Sequence, residues 1–165
     1  MLIGGGIDVP RLQKESKERG LDNVRFIQFQ PADQMPRFFA LADVLLVHLK
    51  RDPLFEITIP CKTIAYLACG RPILCAVPGD TGHVITEAGA GLVCAAEDPE
   101  ALAQRIRELY HMSAEQREAF GQSGRRAFLA HYTRSVLVEQ YLDVFRAVAR
   151  PNGPHSAPSI GAPVA

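Results

Sequence analysis

The chain has 165 residues, 47% of them hydrophobic, with 18 Lys+Arg against 18 Asp+Glu. That is enough for one domain with a real core, and the balanced charge argues against bulk nucleic-acid binding or an acidic partner. No apolar run approaches the ~20 residues of a membrane-spanning helix, and Met1 is followed by Leu-Ile and three glycines instead of a signal peptide.

In chain order the elements alternate. Met1 to Ile3 reads as the end of a strand and Gly4-Gly5-Gly6 as the loop after it. A charged helix follows over Val9 to Arg19, closed by Gly20, then a strand over Asn23 to Phe29. Asp33 to Ala42 is an amphipathic helix carrying Met35, Phe38, Phe39 and Leu41, and Asp43 to Leu49 is a third strand. A helix opens at Pro60, where a missing N–H is harmless, and closes at Gly70, the residue that most easily adopts a left-handed cap. Its Cys61, Ile64, Leu67 and Ala68 share a face expected to pack on the sheet. Ile73 to Val77 is a buried strand, Gly82 to Ala88 a short helix, and Gly91 to Ala95 another strand. Asp98-Pro99-Glu100 starts a helix whose Ala101, Leu102, Ile106 and Leu109 mark its buried side. Ser113 with Glu115 and Gln116 opens the next by capping-box logic. The last helix spans Ser135 to Ala149, with Leu137, Tyr141, Val144, Phe145 and Val148 on one stripe. Strands and helices in alternation predict an α/β, doubly wound, Rossmann-like parallel sheet over 1–149. The tail 150–165, rich in Pro, Gly, Ser and Ala, predicts disorder.

The chemistry-bearing groups concentrate where strands give way to helices. Gly4, Gly5 and Gly6 would let backbone approach a phosphate, or form a tight turn with no ligand; the third glycine of the dinucleotide fingerprint is absent. Pro60-Cys61-Lys62-Thr63 is more pointed. Free N–H groups of residues 61 to 63 and the Lys62 ammonium would converge outside the sheet's carboxyl edge, where an anion offsets the macrodipole's dislike of lysine. Asp52, Glu56 and Thr58 precede that turn and could accept from ligand hydroxyls or simply be solvated. Lys50-Arg51 reads as surface charge, and His48 and His83 as wall or lip residues. Cys61, Cys69, Cys75 and Cys94 lie in apolar contexts without metal-ligand spacing and read as reduced core residues of a cytoplasmic protein. No acidic pair is placed to hold a metal, and no cofactor is implied.

The segments LIGGG, NVRFIQFQPADQMPRFFALADVLLV, IPCKTIAYLACGRPIL, VITEAGAGLV and EDPEALAQRI, in this order and spacing, resemble the C-terminal half of a GT-B fold glycosyltransferase of family 4. The likeness covers about Leu2 to Val148 and is most similar to bacterial enzymes that build surface polysaccharides and O-antigens with aminosugars. It implies a domain that binds a nucleotide-diphosphate sugar, UDP-linked, in a transferase acting on a polyprenyl-linked or saccharide acceptor at the cytoplasmic membrane face. Backbone at Gln28, Phe29 and Gln30 would meet the base, Pro60, Cys61 and Thr63 the diphosphate, and Glu56 and Thr58 the sugar or ribose. Lys62 would act in catalysis by stabilising the leaving diphosphate.

The chain departs from the family pattern in three places. Ala65 stands where a glutamate commonly grips the ribose, and Ile57 where its partner seven residues earlier falls. Cys61 replaces a common serine. The family's first strand, central in its 3-2-1-4-5-6 order, has no counterpart before Met1. The strands at Met1 and Asp43 are therefore expected either to pair directly or to belong to a fragment whose acceptor-binding N-terminal half, and with it catalysis and any peripheral membrane contact, lies elsewhere. A non-catalytic nucleotide-binding fragment and a sugar-nucleotide epimerase of the same architecture are the alternative functions.

Overall fold

The computed structural model describes residues 1–149; the segment 150–165, predicted to be disordered, lies outside the described residues. The chain falls into two compact units, Met1–Phe38 and the remainder from Phe39. The ladders among the described residues are parallel, one sheet within each unit.

In the first unit β1 (Leu2–Ile3) pairs with β2 (Phe26–Ile27) in the register Leu2↔Phe26 and Ile3↔Ile27. Between them runs α1 (Val9–Glu18), which buries no residue and carries the exposed ion pairs Arg11–Glu15 and Lys14–Glu18. The predicted strand over Asn23 to Phe29 is thus two residues long. α2 (Met35–Leu41) leads across the boundary between the units.

The second unit is built on a three-stranded sheet, β3 (Leu45–His48), β4 (Ile73–Ala76) and β5 (Gly91–Val93), in that spatial order. β4 is central and all four of its residues are buried, as an apolar run flanked on both edges must be. Val47, Leu67, Ile73, Cys75, Val77, Ile85 and Ala90 form the core, each without solvent exposure. Around this sheet the chain runs through α3 (Pro53–Glu56), α4 (Cys61–Cys69), α5 (Asp80–Glu87), α6 (Pro99–His111), α7 (Ala114–His131) and α8 (Arg134–Ala149).

Caps set most of these boundaries. Asp98 accepts from the Ala101 N–H at 2.9 Å and starts α6. Ser113 and Gln116 form the reciprocal capping box of α7, at 3.2 and 2.8 Å. Gly70 closes α4 in the left-handed region at φ 70, ψ 36, as its position predicts.

Several details differ from expectation. The turn α3 forms because Asp52 caps it, accepting from Leu54 N–H at 2.9 Å, so the segment read as open loop contains a helical turn. α4 begins at Cys61, since Pro60 is extended at φ −60, ψ 136 and serves as the N-cap. The buried side of α4 centres on Thr63 and Leu67, leaving Cys61 exposed and Ile64 half-buried against the core. On α6 only Leu109 is fully buried; Ile106 is half exposed. The apolar stripe of α8 lies open, with Tyr141, Phe145 and Val148 all more than half exposed.

Candidate functional site

The exit of β3 and the start of α4 bring chemical groups to the carboxyl edge of the β3-β4-β5 sheet. The chain between them is tied in three places. Asp52 caps α3, the Thr58 hydroxyl donates to the Leu54 carbonyl, and the buried Thr81 hydroxyl donates to the Thr58 carbonyl at 2.9 Å. Gly79, at φ 74, allows the Glu56 carbonyl to sit against its Cα, where any Cβ would overlap it. The turn is therefore positioned by α5 as well as by its own bonds. Glu56 stays exposed, while Thr58 is half-buried with its hydroxyl hydrogen engaged locally.

At the α4 N-terminus three amides were expected to be free. The structure corrects this for Thr63, whose N–H donates to the Pro60 carbonyl at 2.8 Å. The Cys61 and Lys62 N–H groups have no acceptor among the described residues. The Thr63 side chain is fully buried and its Oγ1 has no partner, so neither its amide nor its hydroxyl faces the exposed turn. Lys62 is half-buried and enters no ion pair among the described residues. Burial holds its pKa below the usual 10.5.

The Lys62 charge reaches two other groups. Loss of water around the ring, first, and the Lys62 ammonium, second, hold the imidazole of His48 below 6.5, although His48 stands at the exposed end of β3. Burial pushes the Cys75 thiol up to about 11, opposed first by its hydrogen bond to the Val77 carbonyl and least by the Lys62 charge. His48, Lys62 and Cys75 thus share one electrostatic neighbourhood at the carboxyl ends of β3 and β4. Ala65, one turn along α4, is half-buried and offers no acceptor to a hydroxyl.

The remaining predicted residues belong to the first unit. Gly5 and Gly6 are exposed, with open space where a Cβ would stand, and the Gly6 carbonyl accepts from Val9 N–H at 3.2 Å. Gln30 donates through Nε2 to the Gln28 carbonyl at 3.2 Å, and Phe29 is 75% exposed. So Glu56, Thr58, Pro60, Cys61, Lys62 and Thr63 are gathered into one turn, and Gly5, Gly6, Gln28, Phe29 and Gln30 form a separate set in their own unit.

Sequence reasoning missed a cleft of about 470 Å³ at the same sheet edge of the second unit. His48, Leu49 and Lys50 leaving β3, Ala76 ending β4, and Ala95, Glu97 and Asp98 after β5 line it, and Pro99 and Leu102 of α6 close it. Arg51, next to Lys50 in the chain, donates to the Ala96 carbonyl at 3.2 Å. The available signal was the acidic pair Glu97-Asp98 at a strand's carboxyl exit, the usual ligand edge of a parallel sheet. Among the described residues no group of three or more His, Cys, Asp or Glu could hold a metal ion.

This arrangement, parallel strands whose carboxyl ends carry a helix N-terminus and a cleft, is the fold of the GT-B glycosyltransferases. The crystal structure of Anabaena HepE in complex with UDP-glucose superposes with a TM-score of 0.73 at 17% identity, over 88% of this chain and 40% of that one. Residues 1–127 match the family model of glycosyl transferases group 1, and the chain belongs to that family. It is 28% identical over 156 residues to the probable glycosyltransferase WbjE of Pseudomonas aeruginosa, and 24% identical over 147 residues to the O-antigen chain mannosyltransferase C of Escherichia coli. These matches take in 90% and 88% of this chain but 36% and 38% of those proteins, so the chain spans little more than a third of their length.

Proposed function

We propose that the turn from Glu56 to Thr63 and the start of α4 hold the diphosphate of a nucleotide-sugar donor, UDP-linked, in a protein that transfers the sugar to a saccharide or lipid-linked acceptor of a cell-envelope glycan. The observation that carries this reading is the unpaired, half-buried Lys62 beside the two open amides of Cys61 and Lys62. A lysine is disfavoured in that place unless an anion offsets both the dipole and the lost water, and a diphosphate supplies that charge. Family membership supports the chemistry, and HepE, of the same fold, is known in complex with UDP-glucose. The O-antigen chain mannosyltransferase relative supports the class of product.

The mechanism asks little covalent chemistry of these residues. As the bond from the sugar to the diphosphate lengthens, negative charge grows on the leaving oxygen. Lys62 and the α4 amides lie fixed in advance to stabilise it, which is worth more in the transition state than in the ground state. Holding the donor falls to this chain, while the acceptor and its activation belong to the whole protein.

Calorimetric titration of the 165-residue chain with UDP and with uridine tests the reading. UDP is expected to bind and uridine to bind much more weakly, because the site recognises charge. Equal heats from the two, or none from UDP at millimolar concentration, would contradict a diphosphate site.

A further inference from the structure

The first turn of α4 has no side-chain cap. Its N-cap position is held by Pro60, which carries no acceptor for the amides that follow. The Cys61 and Lys62 N–H groups are open among the described residues, and the turn is closed by the bond from Thr63 N–H to the Pro60 carbonyl. Helix starts without caps fray. A turn that presents two amides to an anion therefore has to be held from outside the helix.

Fixed points lie on both sides of it. After the turn, Thr63 and Leu67 are fully buried. Before it, the chain is held at residues 56–58 by the start of α5. The Thr81 hydroxyl donates to the Thr58 carbonyl at 2.9 Å, and Thr81 is fully buried, so water does not compete for the bond. Gly79, at φ 74, lies against the Glu56 carbonyl at a distance that leaves no room for a side chain. α5 is itself anchored, because Ile85, one turn beyond Thr81, belongs to the core. Between the clamped Thr58 and the first residue of α4 stand Ile59 and Pro60, and the ring of Pro60 fixes its φ. Movement at Thr58 is thus passed to Cys61 and Lys62 with little slack.

We infer that Thr81 is a positioning residue for the anion site: its bond to Thr58 does the work of the missing cap and holds the Cys61 and Lys62 amides in place before a ligand arrives. Thr81 touches no ligand. Its contribution is that the turn need not be ordered on binding, a cost that would otherwise be taken from the affinity. The inference rests on the diphosphate reading of the α4 turn and adds to it the residue, on a different element, that keeps the site formed.

The test titrates the 165-residue chain with UDP and follows amide hydrogen exchange on the same samples. Thr81→Val keeps the volume and removes the donor. It is expected to weaken UDP by about fivefold to tenfold, the worth of about one hydrogen bond. It should also speed exchange of the Thr63 N–H while leaving the β4 amides as in wild type. Thr81→Ser keeps the hydroxyl and should bind UDP close to wild type. A glycine inserted between Thr58 and the exposed Ile59 leaves Thr81 and the core untouched but adds slack, and should weaken UDP as Thr81→Val does. UDP affinity unmoved by Thr81→Val and by the insertion would overturn the clamp while leaving the diphosphate site standing. So would faster exchange at Thr63 and β4 alike, or a serine variant as weak as valine, since either marks a general loss of packing. Absence of UDP binding by wild type would overturn the diphosphate reading and this inference with it.

Discussion

At the scale of single residues, Thr63 and His48 carry the clearest consequences. Thr63 was expected to face a ligand from the first turn of α4, and instead buries its hydroxyl without a partner. Sequence spacing could not reveal this, because the rotation of α4 on the sheet is decided by Leu67 filling the core and not by the local pattern. An unmet buried hydroxyl costs about 1–3 kcal/mol, so Thr63→Val should leave stability unchanged or raise it by about 1 kcal/mol. Urea unfolding measures this; a clear loss would mean that Oγ1 has a hydrogen-bond partner. His48 has its pKa lowered in the folded chain, so the unfolded state takes up the proton first as pH falls. Stability should be highest above 6.5 and decline as pH drops below it, toward the folded value. His48→Asn should flatten this part of the profile of Tm against pH, and an unaltered slope would show that another group titrates there.

At the scale of elements, α4 shows what the sequence made legible and what it did not. Gly70 marked its end correctly, since a left-handed residue must follow the last turn and glycine does so at least cost. Its start was misplaced by one residue, as Pro60 satisfies both the N-cap and the first-turn preference and only its ψ of 136 separates them. The α3 turn was hidden because four residues give no period to detect, although Asp52-Pro53 is a capping signal. Asp98 and Ser113 were read correctly because a cap is a local hydrogen bond that needs no tertiary context. Asp98→Ala should accordingly cost about 1 kcal/mol in chemical unfolding. Gly70→Ala should cost at least about 1 kcal/mol, since φ 70 penalises a Cβ wherever it points. No measurable loss at Gly70 would show that α4 can end in another conformation.

At the scale of the whole molecule, alternation of strands and helices was enough to predict the α/β class and the parallel ladders. Which strands pair was not legible, because pairing between distant strands is set by which edges meet and not by composition. The two-residue strands β1 and β2 and the absence of buried residues in α1 predict that Met1–Phe38 opens more readily than the β4-centred sheet. Hydrogen exchange should find Leu2 and Gly4 amides far less protected than those of β4, and uniform protection would contradict two separately held units. The central claim remains the anion site at the α4 turn, where burial, dipole and charge converge on Lys62. The most direct measurement is the affinity of Lys62→Ala for UDP, beside the conservative Lys62→Arg, by titration calorimetry. A loss of about 1–3 kcal/mol in the alanine variant, with partial retention in the arginine variant, is the predicted result. An alanine variant that binds UDP as tightly as wild type would contradict it.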